Sequence, residues 1–421
     1  MDAEAYLDSL EPIGWKLGLE RMRRLSALLG MPQHRFASIH VVGTNGKSSV
    51  TRMTAALLEA HGVSAGACVS PHAERWSERV LLHGEEIELA AFTAAVERTA
   101  QAAEVVNRSL EEGESVTQFE VATAAAFVAL AAARVQAGVV EAGLGGKLDA
   151  TNTIPSRVTV LTSVGLDHTQ WLGETEAEIA AEKLAVLRDQ STLVLGRVSA
   201  EVAALAERAA AEHGAHLVRA PEDPGEEVLL RAPGRFQRRN FALASTAAET
   251  FLGELDPARV AEVAATLTVP GRLEKVADDP PAYLDAAHNP DGAAALAEAL
   301  AEVAAGPVIA CLAILADKDA AAMIGALAPT LERAICTEIP RFPADGPKSQ
   351  DMTDFSAHRH SVPAAELHDS CVAAGLPAEA VPDFAAAVGR GRELAAATPG
   401  GVLLVAGSHY ALAPARALLA P

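Results

Sequence analysis

The sequence predicts an α/β protein of two domains, each built on a mainly parallel sheet. Strand-like apolar runs alternate with helix-periodic segments almost throughout, the pattern of repeated strand–helix–strand crossovers. At 421 residues the chain also exceeds the roughly 100–200 residues of one ordinary domain. A proline–glycine interruption at Thr268–Arg272 breaks the alternation before a fresh strand–loop–helix cycle begins at Tyr283. These observations place a first domain at 1–270 and a second at 271–421.

Taken in order, Phe36–Val42 (FASIHVV) reads as a buried strand, followed by a glycine-containing turn and a helix from Lys47 to about His61 that Gly62 stops. Ala65–Val69 is a second strand. Gln118–Gln136 is a long alanine-rich helix ended by Gly138, and Val139–Ala142 and Arg157–Val164 are buried strands. Glu174–Arg188 is an amphipathic helix whose acidic first turns suit the helix dipole. Beyond the break, strands at Val308–Leu315, Arg333–Cys336 and Val402–Ala406 alternate with helices, and Arg341–His360 reads as a polar, proline-bearing surface loop.

Composition excludes several classes of function. Half of the residues are hydrophobic, so disorder cannot dominate, and 34 basic against 55 acidic residues give a net charge of −21. That charge, with only 4% aromatics, argues against nucleic acid as a partner and against an anionic membrane surface. The acidic N-terminal stretch lacks the pattern of a signal peptide, and the longest apolar run, Val121–Ala133, is too short to span a bilayer. Cys68, Cys311, Cys336 and Cys371 form no CxxC pair, in keeping with a reduced, cytoplasmic setting. Any anionic ligand therefore needs a locally built site.

The strongest local signal is His40–Ser49 (HVVGTNGKSS), set between a strand and a helix. There glycines let backbone N–H groups approach phosphates, Lys47 supplies a mobile positive charge, and Ser48 can reach a magnesium ion. The standard phosphate-loop pattern fails at its first glycine, which would fall on Val41. Lysine in this position addresses β and γ phosphates, so the nucleotide is a triphosphate. Glu141 closes a strand ahead of the glycine-rich Gly143–Asn152, where a carboxylate can bind Mg²⁺; a simple turn would look the same. Asp167–His168 follows another strand, where a lone histidine is more often structural than a ligand. Lys183, alone on a helix, reads as a solvated charge on sequence physics. Ser70–His72 is ambiguous. Asp285–Pro290 is either a polar ligand loop or an N-cap cluster. No Ser-His-Asp or Cys-His spacing supports a covalent hydrolase.

Together these segments resemble the folylpolyglutamate synthase/dihydrofolate synthase family, the folate branch of the Mur ligases. The resemblance rests on eleven ordered blocks: LGLERM at 17–22, VVGTNGKSS at 41–49, VSPHAERWSERV at 69–80, TQFEVATAAAF at 117–127, VEAGLGGKLDATN at 140–152, TSVGLDHTQWLG at 162–173, AAEKLAVLR at 180–188, VPGRLE at 269–274, LDAAHNPDGA at 284–293, LADKD at 315–319 and VAGSHYALAPA at 405–415. It implies a Mur-ligase-type ATPase domain with a phosphate loop and a parallel central sheet, then a smaller Rossmann-like α/β domain. The implied activity is ATP- and Mg²⁺-dependent joining of a folate carboxylate to L-glutamate through an acyl phosphate, with dihydropteroate as a further acceptor. A pair of magnesium ions is implied, a monovalent cation such as K⁺ is compatible, and a monomer is expected.

Residue by residue, the resemblance assigns Thr44, Asn45, Gly46, Lys47 and Ser48 to the phosphates. Asn240, Arg272, Asp285 and His288 go to ATP. Ser48, Ser70, Glu141 and His168 are implied metal ligands, and Lys183 joins them when carbamylated. Thr117, Phe119, Glu120, Leu148, Asp149 and Ala150 match the pteroate-side pocket. Lys47, Lys183, His168 and Asp149 carry the catalytic roles. The Ser9–Lys16 segment departs from the pterin-contacting stretch of the bifunctional enzymes, which bears on dihydrofolate synthesis. Two other functions fit parts of the pattern: a Mur-type ligase for another carboxylate, and a non-catalytic nucleotide switch.

Overall fold

The computed structural model describes residues 1–11, 18–340 and 360–419. Most of the Ser9–Lys16 departure and of the Arg341–His360 loop lies outside the described residues. The chain divides into two compact units, Met1–Leu230 with Arg238–Leu267, and Arg231–Gln237 with Thr268–Pro421.

The first unit holds β1 (Ala37–Val42), β2 (Ala65–Cys68), β3 (Val80–Leu82), β4 (Glu85–Glu86), β5 (Ala137–Glu141), β6 (Ser156–Leu161), β7 (Thr192–Leu195) and β8 (His216–Arg219). They form an eight-stranded sheet in the order β4-β3-β2-β5-β1-β6-β7-β8. Every pairing from β2 to β8 is parallel, and β3 and β4 add an antiparallel edge. β1 lies between β5 and β6, so the loops leaving the carboxyl ends of three neighbouring strands emerge together, the usual place for a ligand in an open α/β sheet. Helices Leu89–Asn107 and Gln118–Ala132 cover an apolar cluster that includes Cys68, Val80 and Val140. Helices Glu176–Leu184 and Ala200–Glu212 cover Val42, Leu161, Leu193 and Leu195.

Two helix starts are fixed by reciprocal capping. Thr117 with Glu120 opens Gln118–Ala132, and Thr175 with Glu178 opens Glu176–Leu184; each pair satisfies two orphan backbone donors. The alanine-rich helix stops at Ala132, well before Gly138. Arg134 takes a left-handed φ of 57°, and Gly138 sits inside β5 instead. A Cβ at 138 would fall 2.6 Å from the Phe36 ring, so this glycine admits a side chain across the strand rather than ending a helix.

The second unit contains β9 (Glu274–Asp278), β10 (Pro281–Leu284), β11 (Val308–Leu312), β12 (Arg333–Cys336), β13 (Ala378–Ala380) and β14 (Val402–Ala406), in the order β13-β12-β11-β14-β10-β9. All pairings are parallel except β10 with β9. The two-residue period divides its core. Val308, Ala310, Leu312, Leu404 and Ala406 join one cluster, while Ile309, Cys311, Leu403 and Val405 join another. The sheet is thus covered by helices on both faces, as the Rossmann-like expectation requires.

Candidate active site

The turn after β1 forms a loop held from its neighbour. Thr44 N donates to Ser163 O at 2.8 Å, Asn45 N to Ser163 Oγ at 3.0 Å, and Thr162 Oγ1 to Asn45 O at 2.7 Å. Gly46 takes φ +86°, a conformation other residues rarely adopt, and a Cβ there would come 2.6 Å from Asn240 Oδ1. Asn240 is thereby placed against the loop. Lys47 opens helix Lys47–Ala60, and its Nζ donates to Gly43 O and Thr44 O, both at 3.1 Å.

Ser48, Ser70 and Glu141 come together at the ends of three elements. Ser48 Oγ donates to Glu141 Oε1 at 2.9 Å, and Ser70 N to Glu141 Oε2 at 2.9 Å. Ser48 Oγ also lies 3.4 Å from Ser70 O. A buried strand-end carboxylate among hydroxyl and carbonyl oxygens is the donor set a hard divalent cation takes. Among the described residues no group of three or more His, Cys, Asp or Glu could hold a metal ion. His168 follows β6 at φ 51°, with its N–H on Asp167 Oδ1 at 2.9 Å and Nε2 3.9 Å from the same oxygen.

Lys183 is the departure from sequence physics. Instead of being solvated it is only 3% exposed, with Nζ donating to Gly43 O at 3.0 Å, the carbonyl that Lys47 also uses. Burial, then the neighbouring Lys47 charge, pushes its pKa down to about 7, against the pull of Asp167, Asp149 and Glu182. The side chain from the helix Glu176–Leu184 therefore reaches the phosphate loop, with a substantial neutral fraction near pH 7.

The residues expected to hold the pteroate side are placed in two groups that meet. Phe119 packs on the loop after Glu141, where a Cβ at Gly143 would fall 2.4 Å from its ring, and shares an apolar cluster with Ala150. Leu148 is 43% exposed, so its apolar side chain is open to a ligand. Glu120 is instead committed to the protein: it accepts from Arg21 Nε at 3.0 Å and from Thr117 N at 2.9 Å, as Thr117 caps the helix. Asp149 is likewise occupied. Its carboxylate accepts from Leu144 N at 2.8 Å, Thr151 N at 2.9 Å and the Thr151 hydroxyl, and burial raises its pKa against these bonds. It shapes the glycine-rich loop, an arrangement that leaves little lone-pair capacity for a general base.

In the second unit, Asp285 follows β10, is 3% exposed, and accepts from Leu273 N and Ala287 N, both at 2.7 Å. Burial raises its pKa, with the Arg272 guanidinium opposing. His288 Nδ1 lies 2.9 Å from Ala286 O, and Asn289 is the N-cap of helix Pro290–Val303. The N-cap reading holds for Asn289, while Asp285 is bound to backbone N–H groups on either side of β10. Sequence reasoning missed Arg21, Thr162 and Ser163, whose roles depend on contacts more than 90 residues away in sequence.

Residues 271–409 match the family model for the Mur ligase, glutamate ligase domain. The dihydrofolate synthase/folylpolyglutamate synthase of Mycobacterium tuberculosis is 34% identical over 76% of this chain and 74% of its own length. The solved structure of the Mycobacterium tuberculosis folylpolyglutamate synthase complexed with ADP superposes with a TM-score of 0.89 at 30% identity, covering 99% of this chain and 97% of that one. The bifunctional folylpolyglutamate synthase/dihydrofolate synthase of Yersinia pestis, complexed with AMPPNP and a Mn ion, gives 0.81 at 28% identity, over 99% of this chain and 96% of that one. With the phosphate loop, the Ser48–Ser70–Glu141 cluster and the buried Lys183 in place, the chain belongs to the folylpolyglutamate synthase/dihydrofolate synthase family.

Proposed function

We propose that this chain is an ATP-dependent amide ligase that joins the carboxylate of a folate to the amine of L-glutamate, and that dihydropteroate is a second acceptor. The observation that carries the reading is the convergence on one sheet edge of Lys47, Lys183 and the Ser48–Ser70–Glu141 cluster. In the reaction a carboxylate oxygen of the folate attacks the γ-phosphorus and ADP leaves. The glutamate amine then attacks the acyl phosphate and expels phosphate, losing a proton as the amide forms. Three anions must be brought together by a strongly acidic protein, so positioning and local positive charge do the catalysis.

Lys47 and the loop Thr44–Ser48 hold the phosphates, and Asn240, Arg272, Asp285 and His288 are assigned to ATP. Ser48, Ser70, Glu141 and His168 would hold Mg²⁺, which supplies charge neutralisation at the transferring phosphoryl group. Lys183 is proposed to add CO₂ to its neutral amine, releasing a proton and giving a carbamate near a second Mg²⁺ ion. Phe119, Leu148 and Ala150 offer apolar surface to the folate, while Thr117, Glu120 and Asp149 hold that surface in shape. We assign the enzyme to the cytoplasm as a monomer; among the described residues no helix is long and apolar enough to cross a membrane. The test is ADP release with ATP and Mg²⁺ while folate and glutamate are each omitted. Release should require both. Release indifferent to both would favour a nucleotide switch, and release with another carboxylate in place of folate would favour a different Mur-type ligase.

A further inference from the structure

We propose that His40 is a positioning residue of this ligase, which through Thr151 fixes the Asp149 carboxylate and with it the glycine-rich loop that faces the folate. The inference rests on the folate-ligase reading for its kinetic consequence, while the hydrogen-bond chain itself stands on geometry alone.

His40 lies in β1, the strand that leads into the phosphate loop, at a register position opposite Val140 of β5 and Thr159 of β6. Two residues on, Val42 belongs to the apolar cluster with Leu161, Ala180 and Leu184, so His40 faces the same side of the sheet. An imidazole with no exposure in that position is costly unless it does something a valine could not. Its Nε2 lies 2.9 Å from Thr151 Oγ1. The Thr151 hydroxyl donates its one proton to Asp149 Oδ1, so it has only lone pairs to offer the histidine. The ring proton must therefore sit on Nε2. Nδ1, left with a lone pair, has no protein partner among the described residues. Burial, reinforced by the Arg188 charge, pushes the His40 pKa down to about 3, so the ring is neutral at any working pH and the donor is permanent.

The chain His40–Thr151–Asp149 ends in the loop that packs against Phe119. Asp149 takes the N–H of Leu144 and of Thr151, folding Leu144–Thr151 back on itself. Arg188 reinforces the far end of the loop through Asn152 O at 2.8 Å and Ile154 O at 3.1 Å. With an apolar residue at 40, the Thr151 hydroxyl loses the donor that fixes its orientation, and Asp149 is held only by the loop's own hydrogen bonds. The folate surface would suffer while the phosphate loop, held through Thr162 and Ser163, would not.

The experiment compares wild type with His40→Gln, which keeps an N–H donor, and His40→Leu, which does not. Measured quantities are kcat, the KM for tetrahydrofolate and for ATP, exchange of the Leu144 amide proton, and the ¹⁵N spectrum of the His40 ring. His40→Leu should raise the folate KM about tenfold with the ATP KM unchanged, the size expected for one buried hydrogen bond. It should also accelerate Leu144 exchange, and His40→Gln should restore most of both. The wild-type ring should show the Nε2–H tautomer and no titration across the working range. Equal effects on both KM values, failure of His40→Gln to rescue in a folded protein, or an Nδ1–H tautomer would each overturn the proposal. Should wild type ligate no glutamate to folate, the ligase reading fails, and the tautomer and the amide exchange still decide the hydrogen-bond chain. Should His40→Leu not fold, the Gln variant and the wild-type spectrum decide it.

Discussion

Replacing Lys183 with methionine should remove a specific pH dependence from the stability of the protein. The Lys183 ammonium is buried at 3% exposure, and it shares the Gly43 carbonyl with a second ammonium. Burial and then Lys47 lower its pKa from 10.5 to about 7. The unfolded chain keeps that proton up to its ordinary value, so between these two limits the unfolded state binds more protons than the folded one. Stability therefore rises with pH across this window, and the contribution is lost as pH falls through about 7. The full span corresponds to on the order of 5 kcal/mol. Urea unfolding of wild type and Lys183→Met in CO₂-free buffer, from about pH 6 to about pH 10, isolates the effect as a difference between two curves. Wild type should gain several kcal/mol relative to the variant across that range. Added bicarbonate should then stabilise wild type alone, with the mass of one CO₂ on Lys183. A difference that stays flat with pH would refute the buried, depressed lysine, and with it the physical basis for carbamylation.

Lys47→Ala should abolish ligation while changing stability by less than about 1 kcal/mol, because the hydrogen bonds of Nζ go to carbonyls of its own loop, Gly43 O and Thr44 O; activity assays beside urea melts check both halves. Glu141→Ala and His168→Ala should each raise the Mg²⁺ concentration needed for half-maximal rate, and an unchanged requirement in both would move the metal elsewhere. Arg21→Met should cost about 3–5 kcal/mol by leaving the Glu120 carboxylate buried without its partner. Adding Glu120→Gln should recover much of that loss, and a double variant no more stable than the single would show that the pair is not coupled.

The parts of the site that were legible in the sequence are those set by local spacing. Glycine, lysine and serine between a strand and a helix marked Gly46–Ser48 as a candidate, and a carboxylate ending a buried strand marked Glu141; the structure places Ser48 against Glu141. The parallel sheets were legible from the alternation of elements, although short edge strands such as β4 and β13 carry too few residues for any period to show. What escaped depends on distant partners. Lys183 read as solvated because its helix pattern cannot reveal that Gly43 lies within 3.0 Å. Arg21 and Glu120 are 99 residues apart, and only the fold makes them one buried pair. The assignment of Arg231–Gln237 to the second unit, ahead of the proline–glycine break, has no compositional signal. Gly138 misled because a glycine after a helical run looks like a stop, whereas this one makes room for Phe36.

In the proposed reaction a folate carboxylate is activated at the phosphate loop and captured by glutamate. Tetrahydrofolate labelled with ¹⁸O in its terminal carboxylate, turned over with ATP, Mg²⁺ and L-glutamate, measures it. An acyl phosphate requires the carboxylate oxygen that attacked the γ-phosphorus to leave with phosphate, so each product carrying one more glutamyl residue should be matched by one ¹⁸O in inorganic phosphate. Glutamylated product with unlabelled phosphate, or labelled folate recovered unchanged while ADP accumulates, would contradict the account.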